Sequence, residues 1–381
     1  MLRVGTVFIV LLLGLVLAAC GGGDASEDDG AKAGLPLAGF EPDDTTVADC
    51  RKANDFSCYA QAYGNLTYRK GPRVALRAVE QASATNAGVR AGCHRIVHTV
   101  GAAALVRYEG SVAKAFVEGS ATCASGFYHG LIEHAFTGVP EREIGSVAAD
   151  VCEDPEIRRV GYYSYQCVHG LGHGLMIYTR YDMPQSLRVC DGLPNRFDAV
   201  SCTGGVFMEN ATSSYGIKSR WLKDDDLIYP CNAVAERHKY YCYLLVTSRI
   251  LPAVDWNFRR TAEVCRQSEQ DWVGECFESF GRDVAGNVQQ DPTRIPPLCE
   301  LAETNEGDCI YGASRDIANA DADGVRASRL CRRVDPEHRG RCFQGVGTIL
   351  GSLHREADAR AAACAAITKA YVEDCRRGAG L

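Results

Sequence analysis

Apolar and polar positions follow three different patterns along this chain. Val7 to Leu17 is an unbroken apolar run behind Arg3. It is shorter than the roughly 20 residues that a membrane-spanning helix needs and it closes in small residues, so it reads as a cleaved signal. From Asp24 to Asp44, seven carboxylates stand against one lysine, and glycine and alanine fill most of the rest. A segment of that composition has nothing to bury and repels itself, which predicts a flexible spacer. Beyond it, apolar residues return at helical spacing, most plainly over Cys309–Ala318 and Cys342–Leu353. Asp335-Pro336-Glu337 predicts a helix start, with the aspartate as cap and proline in the first turn, while Asn319 to Gly324 and Asp291-Pro292 are breakers.

The spacing of the cysteines organises the folded part. Seven pairs recur: Cys152 with Cys167, Cys190 with Cys202, Cys231 with Cys242, Cys265 with Cys276, Cys299 with Cys309, Cys331 with Cys342, and Cys364 with Cys375. Their second members return every 33 to 40 residues. A fixed period of this size is the mark of stacked helix–turn–helix units. The text after the second cysteine repeats as well, as in Cys167-Val-His-Gly-Leu-Gly and Cys342-Phe-Gln-Gly-Val-Gly. Each pair would staple the last helix of one unit to the first helix of the next, and so short a loop contributes about 3 kcal/mol in the chain-entropy model. A small residue recurs three positions after the cysteine: Gly126, Gly170, Gly205, Ser279, Gly312, Gly345 and Gly378. Glycine inside a helix costs about 1 kcal/mol relative to alanine, so its repeated use predicts close approach of neighbouring helices there. The expected fold is all-α: a disulfide-stapled helix–turn–helix repeat array, or α-solenoid, with a period of about 33 residues. Residues 45–230 form its histidine-rich early repeats and 231–381 its later disulfide repeats.

Composition adds the compartment. The chain has 381 residues, 46% of them hydrophobic and 23% charged, with 19 cysteines. So many cysteines point to an oxidising environment. Net charge is −7, of which the spacer holds −6, so the folded part is near neutral and has no basic patch to attract nucleic acid. The odd cysteine count resolves at the end of the apolar run, Leu17-Ala18-Ala19-Cys20 followed by three glycines. That ending resembles the lipobox of bacterial lipoproteins. The resemblance implies a signal peptide over 1–19 and cleavage before Cys20. It further implies acylation of Cys20 with palmitate-type chains, a lipidated acidic tether over 20–44, and a protein held to the bilayer of the bacterial cell envelope, facing periplasm or exterior. Eighteen cysteines remain. Cys50 and Cys58 are paired by proximity, and Cys93 with Cys123 bridge neighbouring repeats, the alternative being thiolates beside the histidines.

The candidate chemistry lies in the early repeats. Six of the nine histidines fall between 94 and 173, in three consecutive units: Cys93-His94-x-x-x-His98, Cys123 with His129, Glu133 and His134, and Cys167-x-His169-x-x-x-His173. His94/His98 and His169/His173 are i,i+4 pairs, so each pair shares a helix face. Stacking brings equivalent positions of neighbouring units side by side. The predicted metal ligands are therefore His94, His98, His129, Glu133, His134, His169 and His173. Clusters of imidazole suit zinc, copper or iron. Gly130, Gly170, Gly172 and Gly174 beside them would leave room for an ion or a flat cofactor, so a non-covalent haem is the other cofactor admitted. No Cys-x-x-Cys-His occurs, which excludes covalent haem. No P-loop, dinucleotide fingerprint or nucleophile elbow is present, and a hydrolase or oxidase using Glu133 or His134 as base ranks below metal binding. Tyr162-Tyr163 and Tyr240 to Tyr243 read as repeat core, and Asp224-Asp225-Asp226 as a solvated loop.

The array over 145–381 is similar to the cysteine-stapled Sel1-like repeats of secreted bacterial proteins in repeat length, helical hairpins and one short-range cysteine pair per unit. It departs from them in the tyrosine and glycine spacing around the turn. The rival function is a non-enzymatic scaffold whose histidines are structural and whose surface takes a protein or peptide partner.

Overall fold

A computed structural model describes residues 39–381 apart from positions 54, 124, 215 and 322. The signal, Cys20 and most of the acidic spacer lie outside the described residues. The regular structure of those described is helical, with no strand among them. Ten of their helices form an inner row: α1 (Phe56–Lys70), α2 (Ala87–Arg107), α3 (Gly126–Ala135), α4 (Gly161–Tyr178), α5 (Arg196–Ala211), α6 (Glu236–Leu245), α7 (Val273–Asn287), α8 (Glu306–Asp321), α9 (Pro336–Leu353) and α10 (Val372–Gly378). Each packs against the next, and shorter helices form a second row. The described residues belong to one compact unit with no division at 231.

Nine disulfides join the described cysteines. Two precede the regular array, Cys50–Cys58 and Cys93–Cys123, so the latter two are bridged to each other and are not free thiolates beside the histidines. Cys152–Cys167, Cys190–Cys202 and Cys231–Cys242 follow, at sequence separations of 15, 12 and 11. Cys265–Cys276, Cys299–Cys309, Cys331–Cys342 and Cys364–Cys375 complete the set at separations of 11, 10, 11 and 11. In each of these seven the second cysteine lies on an inner helix, and its partner lies in or beside the element ahead of it. An oxidising, extracytoplasmic compartment maintains such a set. None of the described helices is long and apolar enough to cross a membrane. Pro336 opens α9 as expected, although the Asp335 side chain makes no capping bond.

The small residues after the cysteines work in two directions. A Cβ added at Gly205, Gly312 or Gly378 would lie 1.9, 1.9 or 2.0 Å from the carbonyl oxygen of His169, Glu278 or Gln344 on the preceding helix. Two positions further on, a Cβ at Gly172, Gly281 or Gly347 would lie 2.1, 1.8 or 2.0 Å from the carbonyl of Cys202, Cys309 or Cys375 on the following one. At these junctions the inner helices meet backbone to backbone, and only glycine tolerates the contact. With a second row outside, each unit is a wedge, and the wedges curve the array. After six helices the curve closes: α9 packs against α4, Gly161 abuts Ser352, and Arg355 Nη1 donates to the Arg158 carbonyl at 3.3 Å.

The folded part begins ahead of Thr45. Phe40 is buried against Ala102 and Ala103 and fills the space over Gly64, and Asp43 bonds Asn65 through both its N–H and its carboxylate. The last residues of the expected spacer are thus docked, because one aromatic ring supplies the apolar area that the acidic stretch before it lacks. Asp224 is exposed and bridged to Lys218 at 2.7 Å and Arg249 at 3.0 Å, and Asp226 accepts from the Ile228 and Tyr229 N–H groups, so the acidic run is a solvated, ion-paired loop.

Candidate metal centre

Three consecutive inner helices bring five imidazoles together. His94 and His98 project from α2, His129 from α3, and His169 and His173 from α4. His129 is central. Its ring centroid lies 5.3 Å from His94, 5.7 Å from His98, 5.4 Å from His169 and 4.3 Å from His173, on which it stacks. The Gly130 contact with the His98 backbone sets the α2–α3 separation, and Gly170 against the Tyr128 carbonyl and the His129 Cα sets that of α3 and α4. Apart from half-buried His94, the five rings are buried.

Hydrogen bonds fix the protons. His94 Nδ1 is 2.8 Å from the Cys123 carbonyl, which can only accept, so Nδ1 carries the proton and Nε2 holds a lone pair. His98 Nδ1 donates to the Glu133 carboxylate at 3.0–3.1 Å, which likewise leaves its Nε2 a lone pair. The two Nε2 atoms face each other at 3.1 Å with no proton between them. His173 Nδ1 donates to Glu209 at 2.9 Å, and its Nε2 has no hydrogen-bond partner among the described residues; neither has His129 Nδ1. Buried ring nitrogens without partners are costly, and lone pairs gathered in one cluster are what cations satisfy.

Protonation does not answer the problem at neutral pH. Burial, reinforced by the neighbouring imidazoles, pushes His94, His98 and His169 down to about 3 and holds His129 well below the usual histidine range. Burial would raise Glu209, but the His173 bond and charge, with bonds from Ser214 and Tyr181, outweigh it and keep the carboxyl below the usual range. Glu209 receives Tyr181 Oη at 2.6 Å, the Ser214 N–H at 2.9 Å and Ser214 Oγ at 2.6 Å. It is a fully buried carboxylate with its lone pairs engaged, placed to orient one imidazole.

Three groups of donor atoms lie within 4.8 Å of one another: His94, His98 and His129; His129, His169 and His173; and Glu133, His173 and Glu209. His129 and His173 each belong to two groups, so the sites form one continuous cluster. Glu133 and Glu209 repeat a relation, each holding Nδ1 of a histidine one unit earlier, His98 and His173 respectively. That carboxylate–histidine arrangement fixes the tautomer presenting Nε2 to a metal.

The cluster differs from the predicted set in two members. His134 is half-buried, burial lowers its pKa, and it joins none of the three groups. One residue along from Glu133, it is turned about 100° around the helix axis and faces elsewhere. Glu209 enters on α5. Its signal in the sequence is the offset of 36 residues from His173, nearly the 35 between His98 and Glu133. The room expected beside the glycines for a flat cofactor is taken. The space over Gly130, Gly170, Gly172 and Gly174 is filled by the His98 backbone, the Tyr128 carbonyl, the α5 backbone and the Phe136 ring. The glycines serve helix contact and leave no slot for a flat cofactor over them, while the donor groups could hold ions.

Comparison of the chain with known protein families, curated proteins and solved structures finds no match.

Proposed function

We propose that this protein is an extracytoplasmic metal-binding protein whose helical array holds one or more transition-metal ions between α2, α3, α4 and α5. The observation that carries the reading is the facing pair of Nε2 lone pairs on His94 and His98, with the unpartnered Nε2 of His173 and Nδ1 of His129 in the same cluster. Imidazole with carboxylate suits zinc, copper or iron. His94, His98, His129, His169 and His173 are the ligands, and Glu133 and Glu209 orient them or complete a carboxylate-bearing position. Burial of the cluster excludes water, which strengthens every charge interaction at the ion.

The lipobox-like ending at Cys20 supports a lipid anchor, with the acidic segment spacing the array from the membrane surface. Palmitate labelling of cells that produce the chain, with and without Cys20→Ser, tests it. Label on both forms, or on neither, overturns the anchor without touching the metal reading.

The metal test is elemental analysis of purified, disulfide-intact protein against a variant carrying His129→Ala and His173→Ala. Expected is near-stoichiometric metal in the parent and its loss in the variant, with an unchanged far-ultraviolet spectrum. Equal, substoichiometric metal in both means that the histidines only space the helices.

A further inference from the structure

The ring formed by α4 to α9 encloses a cavity of about 280 Å³, and its lining residues come from those six helices alone. This is just below the range of roughly 300–1,000 Å³ that holds drug-sized ligands, so the occupant is a small molecule. The wall is divided by chemistry. Tyr162, Tyr165, Phe197, Met208, Tyr241 and Leu244, from α4 to α6, make an aromatic and apolar side. Tyr162 and Tyr241, expected from the sequence as repeat core, are half-buried like Tyr165 where they border this space. Glu278, Arg282, Arg315 and Asp316, from α7 and α8, make the charged side.

Among those charges one cation is under-partnered. Glu278 is held by Arg341 Nη2 at 2.8 Å. Arg282 spends Nε and Nη2 on Asp283 and Ser248, at 2.6 to 3.0 Å. Arg315 makes a single hydrogen bond to the described residues, 3.5 Å from Nη1 to Glu278, with five N–H donors to place. Burial also pushes Glu278 up to about 7, which thins the negative charge beside it, while Asp316 accepts from Gln290 Nε2 at 3.2 Å. A guanidinium with spare donors in a partly dehydrated cavity is a receptor for a carboxylate, which it takes bidentately.

The cavity also touches the metal cluster. His169 lines it, stacks on Tyr165 with centroids 5.4 Å apart, and belongs to the central donor group with His129 and His173.

We propose that the ring cavity binds a small aryl carboxylate, with its carboxylate on Arg315 and its ring against Tyr165 and Tyr241, and that it presents this molecule to the metal centre across His169. The second half rests on the metal reading; the binding itself does not.

The test is ligand-observed NMR and calorimetry on the metal-free, disulfide-intact protein, with benzoate, phenylacetate and 3-phenylpropionate as probes and 3-phenylpropan-1-ol as the uncharged control. Expected is saturable binding of at least one carboxylate and binding of the alcohol weaker by about tenfold or more. Arg315→Gln should cost the carboxylate a similar factor and leave the alcohol unchanged, since Glu278 keeps Arg341. Ile349→Trp, which puts an indole into the cavity, should abolish both. Absence of saturable binding by all three acids, or equal affinity for acid and alcohol, overturns the site. If Ile349→Trp does not fold, the Arg315→Gln comparison decides alone. Copper-loaded protein should then broaden the resonances of the bound acid, and the His129→Ala, His173→Ala variant should not. Binding without broadening in a copper-replete parent keeps the cavity site and overturns its link to the metal; copper absent from the parent overturns the metal reading and leaves the site standing.

Discussion

Replacing Gly130 by alanine tests how packing and site are coupled. The added Cβ would stand 2.1 Å from the His98 carbonyl oxygen and 2.4 Å from the His98 Cα, where ordinary contact begins near 3.4 Å. Both are backbone atoms and cannot swing aside, so α2 and α3 must part by about 1 Å. Overpacking of this kind costs about 1–3 kcal/mol, against which alanine returns about 1 kcal/mol of helix propensity. The same displacement strikes the donor set. The donor atoms of His94, His98 and His129 lie within 4.8 Å of one another, close to the limit of about 4.2 Å between donors that an ion with bonds of about 2.1 Å can bridge. A further ångström takes His129 out of reach of the α2 pair. Gly286→Ala is the control: it is exposed near the end of α7 with nothing within 4 Å of the added atom, so the change should be stabilising by about 1 kcal/mol. Thermal unfolding of the metal-free protein and metal content of the loaded protein are the two readouts. Gly130→Ala should lower both and Gly286→Ala neither. If the two variants behave alike, helix contact does not set the geometry of the cluster.

Three further outcomes follow from the same structure. His94, His98 and His169 have folded-state values near 3 against an ordinary 6.5, so between those values the unfolded chain holds protons that the folded chain does not. Metal-free protein should therefore lose stability as pH falls below 6.5, by about 1 kcal/mol per pH unit and histidine, measured as urea midpoints from pH 7 to 4; a rise in stability over that range would mean that the imidazoles are charged and paired. Glu209→Gln keeps a side chain of the same shape but loses the charge holding His173, and should lower metal affinity about 10- to 100-fold in competition titrations with a chelator, with little change in fold. Removing one staple by Cys299→Ala with Cys309→Ala reopens a loop of sequence separation 10 and should cost about 3 kcal/mol in chemical denaturation, leaving metal content unchanged because the cluster lies on other helices.

Much of this architecture is local and so could be read from the chain. Helix spacing, the cysteine beat and the small residue recurring three places after the cysteine are relations within one unit or between a unit and the next, and stacking repeats them. For the same reason the in-register histidines of three adjacent units announced a cluster, since positions one period apart on neighbouring inner helices must be neighbours. The membership at its edge was harder to read. His134 and Glu133 are adjacent in sequence, and only the angle of α3 against its neighbours shows which of them faces His98. Glu209 sits in a unit without a histidine at the matching place, and it matters because α5 packs against α4.

What one unit's sequence cannot express is the sum of many small rotations. Each helix contact sets an angle between two helices, and only the five angles from α4 to α9 together bring α9 back to α4. That closure turned half-buried tyrosines into a cavity wall and gathered Arg315, Tyr241 and His169, spread over about 150 residues of chain, around one space. It also decided what the glycines are for: the sequence showed where small residues recur, but whether their space is left for a ligand or filled by a neighbouring backbone depends on how closely whole helices approach, a property of the packed array.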